Sequence, residues 1–436
     1  MTWVAFSVLL VAALFVALAS GLWIALALLG TGMAGLWVEG GARTFLSLGS
    51  ISWNTINSFT LSPVPLFIVL GAIILRCGVA ERFYAALAIW LRGLPGGLLQ
   101  SNVVACSVFA AACGSSVATA GTIGTVTIPE LKQRGYADRM IFGSLAAGGT
   151  LGILIPPSIV MILYCSIVEV SVAKLFIAGV VPGLLLAALF MGYIAVRCLL
   201  DPGLAPPETA GYTAAQRLRS LLDILPLFAL ISFVMGSIYL GWATATEAAA
   251  LGVVASLVIA TLYRGLTLDS LMQAHVSAVR TTCMVLAIVV AAQVFSYALV
   301  YSGVSRSLTE WVISLGLPSF VLFLAIIVLY IFLGCLIDGT SMMLLTLPVL
   351  FPIITAAGFD LIWFGVAVVV LIEIGMITPP IGLNLFVLHG IGGRTPFSEV
   401  ARGALPYVCL MLAFLMLMWV APGIATWLPD QMTATR

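Results

Sequence analysis

Charged side chains are scarce in this chain. Of its 436 residues only 8% are Asp, Glu, Lys or Arg, whereas 63% are hydrophobic, and the mean hydropathy is +1.24. A soluble globular domain carries about 25% charged residues, so this composition excludes that class and indicates a multi-pass membrane protein. The net charge of +1 provides no basic stripe that would neutralise phosphates, which predicts that nucleic acid is not a partner.

Paired cysteines and clustered histidines are also missing. The eight cysteines are scattered without a Cys-x-x-Cys pair, and the only histidines are His275 and His389. This pattern argues against a disulfide framework and against a transition-metal centre. A membrane-embedded hydrolase would need a nucleophile beside a base, and the Ser-rich segment at 114–119 has no His or Lys at helical spacing. The chain is therefore predicted not to be an enzyme.

Long apolar segments make up most of the chain. Two of them, 98–130 and 320–356, are interrupted near the middle by small polar residues, so each could form two short spans or one re-entrant hairpin. The others are long enough to span a bilayer. These predicted spans are 3–29, 61–78, 141–165, 175–198, 221–240, 244–263, 281–301, 361–391 and 404–428.

Basic residues predict the orientation of these segments, because positive charge marks the cytoplasmic side. If 61–78 runs inward, thirteen Lys and Arg side chains collect on the cytoplasmic face and four lie outside. Both flanks of 98–130 are then inside and those of 320–356 outside, which favours hairpins entering from opposite faces. The N-terminus is predicted inside and the C-terminus outside. The inner set is Arg76, Arg82, Arg92, Lys132, Arg134, Arg139, Arg197, Arg217, Arg219, Arg264, Arg280, Arg394 and Arg402, and the outer set is Arg43, Lys174, Arg306 and Arg436.

Two spans contain double prolines at matching positions. Gly-Ile-Leu-Ile-Pro-Pro at 152–157 lies within 141–165, and Gly-Met-Ile-Thr-Pro-Pro at 375–380 lies within 361–391. Proline removes a backbone donor and clashes with the preceding turn, so both helices should break and leave carbonyl groups without partners. In a membrane, such backbone is tolerated only where protein buries it or it lines a cavity. Paired broken helices therefore predict the binding site of a secondary transporter.

Other short motifs recur in the same order in both halves. Cys-Gly-Val at 77–79 and Ser-Gly-Val at 302–304 each precede a short amphipathic segment, and Gly-Leu-Pro at 93–95 and 316–318 each precede an interrupted region. With opposite flanking charges, this order predicts an all-α membrane fold of two inverted repeats. The predicted parts are an N-terminal span with its outer connecting segment at 1–60, a first repeat at 61–198, a linker with two scaffold spans at 199–283, a second repeat at 284–428 and a tail at 429–436.

Small and hydroxyl-bearing residues are concentrated at the two hairpin tips, 113–119 and 338–341. Hydroxyl and freed carbonyl oxygens suit a small hard cation, and a helix that starts at a tip favours an anion through its N-terminal amides. The alternative is a Ser/Thr face that only lets helices pack closely. We expect the first tip beside Pro156, Pro157 and Ser158, and the second beside Thr378, Pro379 and Asn384. One cation cage per half and an anion between them are predicted, with candidate substrate ligands Ser116, Ser158, Ser341 and Asn384.

The motifs around these tips resemble those of the large membrane subunit of tripartite ATP-independent periplasmic (TRAP) transporters. Gly-Ser-Ser-Val-Ala-Thr at 114–119, with Ile-Pro-Glu at 128–130, is similar to the first-half signature of that family. Leu-Pro-Val-Leu-Phe-Pro at 347–352 and Thr-Pro-Pro-Ile-Gly-Leu-Asn-Leu-Phe at 378–386 resemble its second-half signature. The resemblance covers essentially the whole chain.

This resemblance implies a sodium-coupled, elevator-type importer of small organic acids in the bacterial inner membrane. It implies two partners, a small four-helix membrane subunit on a separate chain and a periplasmic substrate-binding protein. Both hairpins and both broken helices would form the transport unit, and the remaining spans would be scaffold. The sodium ligands that it implies are Gly114, Ser115, Ser116, Pro156, Gly339, Thr340, Thr378 and Pro379.

Two carboxylates lie inside apolar segments, where an ionised group costs about 2.5–3.5 kcal/mol on insertion scales. Asp338 could balance a cation, although a cap for the half-helix that follows is favoured. Glu373 could relay protons or remain neutral and hydrogen-bonded. Two other functions stay open at this stage, a stand-alone sodium- or proton-coupled carboxylate symporter of similar fold and a passive channel.

Overall fold

The computed structural model describes residues 3–206, 212–263, 265 and 267–434 of the chain. Arg264 and Arg436, which the charge analysis uses, lie outside the described residues, as does the end of the predicted tail. Within the described ranges the chain folds into twenty α-helices and contains no strand. In this part of the chain, eight continuous helical segments are long and apolar enough to cross a membrane, or nine if one bent pair counts as a span. Ile24–Ile56, one of the eight, includes both α2 and α3.

Helix boundaries follow the glycines, prolines and capping residues of the sequence. The first half contains α1 (Trp3–Ala19), α2 (Ile24–Gly40), α3 (Leu46–Ile56), α4 (Pro63–Arg76), α5 (Val79–Leu91), α6 (Leu98–Cys113), α7 (Ser116–Gln133), α8 (Asp138–Leu154), α9 (Ile159–Val168) and α10 (Val172–Leu200). The remainder contains α11 (Ala214–Tyr239), α12 (Ala245–Leu262), α13 (Leu268–Tyr301), α14 (Val304–Ser314), α15 (Ser319–Gly334), α16 (Gly339–Ala356), α17 (Leu361–Met376), α18 (Leu383–Gly392), α19 (Phe397–Val420) and α20 (Gly423–Ala434).

The N-terminal region forms a helical hairpin instead of one span. The predicted span at 3–29 is divided into α1 and α2 by a turn at Gly21, whose φ of +82° favours glycine. The two helices are antiparallel, because Phe6 and Leu10 of α1 pack against Gly35 near the far end of α2. The start of α1 therefore lies at the same end of the molecule as Gly35. The single-span prediction was wrong, and the cytoplasmic N-terminus that depended on it loses its basis.

Both interrupted regions form helix pairs, and both proline-containing spans are broken. α6 and α7 meet at a two-residue turn, and α15 and α16 are joined by residues 335–338. α8 and α9 are separated by residues 155–158 and bend by 41°, whereas six residues separate the end of α17 from the start of α18. The Pro156–Pro157 and Pro379–Pro380 bonds are both cis. The two predicted helix breaks are thus confirmed, and the inverted-repeat relation between the halves stays a prediction.

The helices α2, α4, α12 and α13 pack against one another. Gly32 of α2 lies against the backbone of α13, since a Cβ atom there would lie 3.0 Å from the Phe295 Cα. Gly252 of α12 similarly accommodates Leu70 of α4. With 34 residues, α13 is about 51 Å long at 1.5 Å per residue, longer than the ~30 Å hydrocarbon core. The predicted span at 281–301 covers only its second part.

The last span of each half packs on broken helices. Gly179 of α10 approaches the Leu154 carbonyl at the end of α8, where an added Cβ atom would lie 2.6 Å from the oxygen. Gly143 of α8 accommodates Gly403 and Tyr407 of α19. The prediction that these two spans belong to the scaffold stays a prediction. In the structure, α10 and α19 both pack on broken helices.

The first glycine of each double-proline motif lets a hairpin arm cross the broken helix closely. A Cβ atom added at Gly375 of α17 would lie 2.8 Å from the Cα of Gly334, at the end of α15. Gly152 of α8 meets Ala110 of α6 in the same manner. In lipid, close backbone contact of this kind is a main source of helix association. Each broken helix is therefore fixed against the first arm of the hairpin in its own half.

We predict that Gly375→Ala lowers stability, because its methyl group would meet backbone atoms that cannot rotate away. Overpacking of this kind costs about 1–3 kcal/mol. Thermal unfolding in detergent should show a midpoint several degrees lower than that of the wild type. The matched control is Gly192→Ala in α10, where nothing lies within 4 Å of the added atom. Equal midpoints for the two variants would contradict the close crossing.

Candidate functional site

The first tip is a tight reversal between α6 and α7. Gly114 ends α6 with a left-handed φ of +62°, a conformation that glycine adopts without strain. Ser115 is the N-cap of α7, and its Oγ accepts a bond from the Ala118 N–H at 3.4 Å. Ser116 follows in the first turn and is buried. The tip therefore presents a helix start and two hydroxyl groups.

The first tip lies against the break between α8 and α9, as predicted. A Cβ atom at Gly114 would lie 3.4 Å from the Pro157 carbonyl oxygen and from Ile159. Ser158 is fully buried and caps α9, where its Oγ accepts a bond from the Met161 N–H at 3.4 Å. The carbonyls four residues before the two prolines have no N–H to accept from. Hydroxyl and carbonyl oxygens thus meet at this break.

The second tip lies against the break between α17 and α18. The Cys335 thiol donates to the Pro379 carbonyl at 3.1 Å, and Gly339 leaves room for side chains of α17. Asp338 is the N-cap of α16, because its Oδ2 accepts a bond from the Ser341 N–H at 3.1 Å. The predicted capping role of Asp338 is therefore confirmed. Thr378, two residues beyond the end of α17, donates to the Ile374 carbonyl of that helix at 2.6 Å.

Asn384 joins the two halves at the centre of the molecule. Its Nδ2 donates to the Oγ of Ser116 at 2.6 Å, although 268 positions separate them, and both side chains are buried. Asn384 was expected beside the second tip, so its bond to Ser116 was not predicted. The contact forms because α18 packs along α7, where Gly121 and Gly124 leave room for Val387 and Leu388.

Several buried polar atoms near the tips have no hydrogen-bond partner within the described part of the chain. They include the Oδ1 of Asn384, the Oγ of Ser341 and the Oγ1 of Thr119. Buried polar groups are normally paired, so each of these atoms is available to a ligand or an ordered water. Thr119 was missing from the candidate residues, although it belongs to the same motif at 114–119 and lies one helical turn beyond Ser116.

Four helices begin around the two tips, and they differ in whether a side chain caps their N-terminal amides. α7, α9 and α16 are capped by their own side chains, from Ser115, Ser158 and Asp338. α18 begins after Gly382 without a side-chain cap. Its N-terminal amides and positive dipole end therefore favour an anion at this helix start. Asn384, with its unpaired Oδ1, lies in the first turn of the same helix.

Comparison with known proteins places these features in a family. The sequence model of the tripartite ATP-independent periplasmic transporter, DctM component, matches residues 11–424. The chain is 36% identical over 387 residues to the C4-dicarboxylate TRAP transporter large permease protein DctM of Pseudomonas aeruginosa, covering 88% of this chain and 89% of that protein. The chain belongs to the DctM family of large TRAP membrane subunits.

Relatives within the DctM family carry different substrate names. The sialic acid TRAP transporter large permease protein SiaM of Vibrio cholerae is 30% identical, with 86% of this chain and 87% of that protein covered. The 2,3-diketo-L-gulonate TRAP transporter large permease protein YiaN of Escherichia coli is also 30% identical, with coverages of 85% and 87%. These relatives are named as permease subunits, which is consistent with a protein that is not an enzyme.

The fold of this DctM-family chain also resembles a solved transporter. The crystal structure of the Alcanivorax borkumensis YdaH transporter superimposes with a TM-score of 0.61 at 17% identity, covering 93% of this chain and 98% of that one. At this identity the likeness concerns the fold alone. It supports an all-helical fold with many apolar helices.

The DctM-family site contains no transition-metal cluster within the described residues. Its one fully buried carboxylate is Glu373, which lies two residues before Gly375, and neither carboxylate oxygen has a hydrogen-bond partner among the described groups. The hydrogen bonds that were expected for Glu373 are therefore not found among the described residues.

We predict that Ser116 and Asn384 are energetically coupled. A neutral buried hydrogen bond contributes about 1 kcal/mol, and either single substitution leaves one polar partner buried without a bond. A double-mutant cycle of Ser116→Ala and Asn384→Ala, measured as free energies of unfolding in detergent, should give a coupling of about 1 kcal/mol. A control cycle of Asn384→Ala with Ser7→Ala in α1 should be additive. Additivity in the first cycle would disprove the cross-half bond.

Proposed function

We propose that this subunit is the transport chain of a sodium-coupled importer of small organic acids. Membership of the DctM family supports a TRAP permease, and the oxygen-rich tips beside broken helices support coupling to a hard cation. The observation that carries the proposal is the pairing of each tip with its helix break, shown by the neighbours of Gly114 and by the Cys335–Pro379 contact.

The sodium ligands would be oxygens at the tips and breaks. Hydroxyl and carbonyl oxygens are the ligands that hard cations take, and each tip with its helix break supplies such oxygens. Bound sodium would supply positive charge that orders the tips and attracts the substrate. The residues that would hold the ions are Gly114, Ser115, Ser116 and Pro156 in the first half and Gly339, Thr340, Thr378 and Pro379 in the second.

The substrate carboxylate would bind between the two tips. The uncapped start of α18 supplies amides for an anion, and the free Oδ1 of Asn384 accepts a donor such as a substrate hydroxyl. Ser116 is held at the same place by its bond to Asn384. Ser158 and Ser341, which cap or follow the neighbouring helix starts, complete the proposed substrate contacts.

An elevator mechanism would move the hairpins and broken helices as a unit past a scaffold. The packing of α10 and α19 on broken helices supports their inclusion in the moving unit. The scaffold would then consist of α2, α4, α11, α12 and α13, with the α1–α2 hairpin at its edge. Gly71 of α4 marks the boundary, because an added Cβ atom there would lie 2.9 Å from the Cα of Cys113 at the first tip.

The remaining parts of the system follow from the family. We place the subunit in the bacterial inner membrane, working with a small four-helix membrane subunit and a periplasmic substrate-binding protein. Because α1 and α2 replace one predicted span, the chain would cross the membrane once more than predicted. With Arg394 and Arg402 inside, the start of α1 and the end of α19 would both face the periplasm.

The proposal is tested by uptake into proteoliposomes containing the purified permease, its small subunit and the binding protein. Labelled C4-dicarboxylates and other small acids are supplied under an imposed sodium gradient, a proton gradient or neither. We expect accumulation only with the sodium gradient and only with the binding protein present. Uptake without the binding protein would indicate a stand-alone symporter, and equilibration without any gradient would indicate a channel.

We predict that Ser115→Ala weakens the response to sodium. The substitution removes a candidate ligand and also a helix cap, so the control must lose an equal cap elsewhere. Ser171→Ala is matched, because Ser171 caps α10 with the same 3.4 Å bond from a backbone N–H. The sodium concentration for half-maximal uptake should rise about tenfold in Ser115→Ala, equivalent to ~1.4 kcal/mol, and less than about twofold in the control. Equal responses would show that the Ser115 hydroxyl is not a ligand.

A further inference from the structure

Helices α7 and α18 run side by side and are bonded near both ends. At the central end, Asn384 donates to Ser116. In the middle, a Cβ atom at Gly121 would lie 3.3 Å from the Val387 Cγ1, and one at Gly124 would lie 2.8 Å from Leu388. α7 is the second arm of the first hairpin, whereas α18 is the part of the second broken helix that follows the break. The two halves of the chain are therefore in direct contact along a whole helix.

At the inner end, Lys132 fastens the two helices through a polar cluster. Its Nζ donates to the Gly392 carbonyl at 2.7 Å and to the Thr395 Oγ1 at 2.6 Å. The Thr395 hydroxyl in turn donates to the Asp138 Oδ2 at 2.7 Å, and Lys132 lies 3.8 Å from the same carboxylate. Thr395 is buried, so the cluster is more enclosed than an ordinary surface ion pair.

The chemistry of this cluster suits a helix end. Gly392 is the last residue of α18, where the carbonyl groups have no intrahelical donor, and a lysine ammonium satisfies such a carbonyl and the negative dipole end. Gly392 also packs against the ring of Phe142 in α8, over which the ammonium lies at 5.3 Å from the ring centre. The end of α18 is thereby held by α7 and α8 together.

We infer that Lys132 is a positioning residue for the central site: it fixes α18 against α7, so that the first hairpin and the second broken helix move as one body. This inference rests on the proposed function, because it concerns the position of Asn384 and of the uncapped start of α18. It follows that the first hairpin does not open independently of α18. Any opening of that tip would have to separate the bonded pair.

Substitution of Lys132 tests the positioning role in the proteoliposome assay. Lys132→Met removes the donors to Gly392 and Thr395, so the apparent KM for substrate should rise about tenfold while the maximal rate stays within about twofold. Lys132→Arg keeps donors at this place and should recover most of the affinity. Arg402→Gln is the control, since it removes an exposed ion pair with Glu399 on the same face and makes no bond to α18. An unchanged KM in Lys132→Met, or no recovery in Lys132→Arg, would overturn the role.

A cross-link tests the single-body motion separately. The pair Gly121→Cys and Val387→Cys is suitable for a disulfide, because a Cβ atom at Gly121 would lie 3.3 Å from the Val387 Cγ1. The two single variants control for the native cysteines. We expect the oxidised double variant to form the bond and to retain sodium-driven uptake. Loss of uptake that a reductant restores, or failure of the disulfide to form, would overturn the inference. Failure of the proposed function would appear in the wild type, as uptake indifferent to sodium, and is thus distinguishable.

Discussion

Carbonyl groups without backbone donors are the constraint on which the rest of this structure depends. Gly152, Ile153 and Met376 precede prolines by four residues, so no N–H four residues on reaches their carbonyls. Gly375 also precedes a proline by four residues, but its carbonyl accepts from the Thr378 N–H at 3.3 Å. In a bilayer such groups must be enclosed by protein or face a polar cavity. The hairpins supply that enclosure, because the close crossings at Gly152 and Gly375 bring one arm of each hairpin against its break. Breaks and hairpins are therefore parts of the same structural solution, and neither is expected to be stable in lipid without the other.

The site depends on both halves of the chain at once. Each tip lies against the break of its own half, but the first tip is also held by Asn384 of the second half. α8 packs in turn against α19, through Gly143 and Gly403. A complete site therefore needs the whole chain, and contacts between residues more than 250 positions apart fix its geometry. This arrangement agrees with the packing of the last span of each half on α8.

Features set by local chemistry could be predicted from the sequence, and those set by long-range packing could not. The helix breaks follow from proline, and the Asp338 cap follows from a short polar side chain before a half-helix. The hairpin at Gly21 was missed because its two helices together read as one uninterrupted apolar run, with only a Ser-Gly pair at the turn. The bond from Asn384 to Ser116 was missed because no local pattern indicates which helix will lie beside α18. Gly121 and Gly124 leave room for α18, but the sequence does not show which helix occupies that space.

Electrostatics gives a reason why anion and cation would be coupled in such a site. A carboxylate moved alone into a low-dielectric interior loses its hydration, and fixed amides at one helix start replace only part of it. The uncapped start of α18 is favourable to an anion, but Glu373 lies buried in the preceding helix and opposes one whenever it is ionised. Cations held at the tips would offset both charges, and their attraction is strong because few water molecules screen it. Substrate affinity would then depend on the ions bound beside it, and a unit carrying substrate without its cations would be too costly to populate.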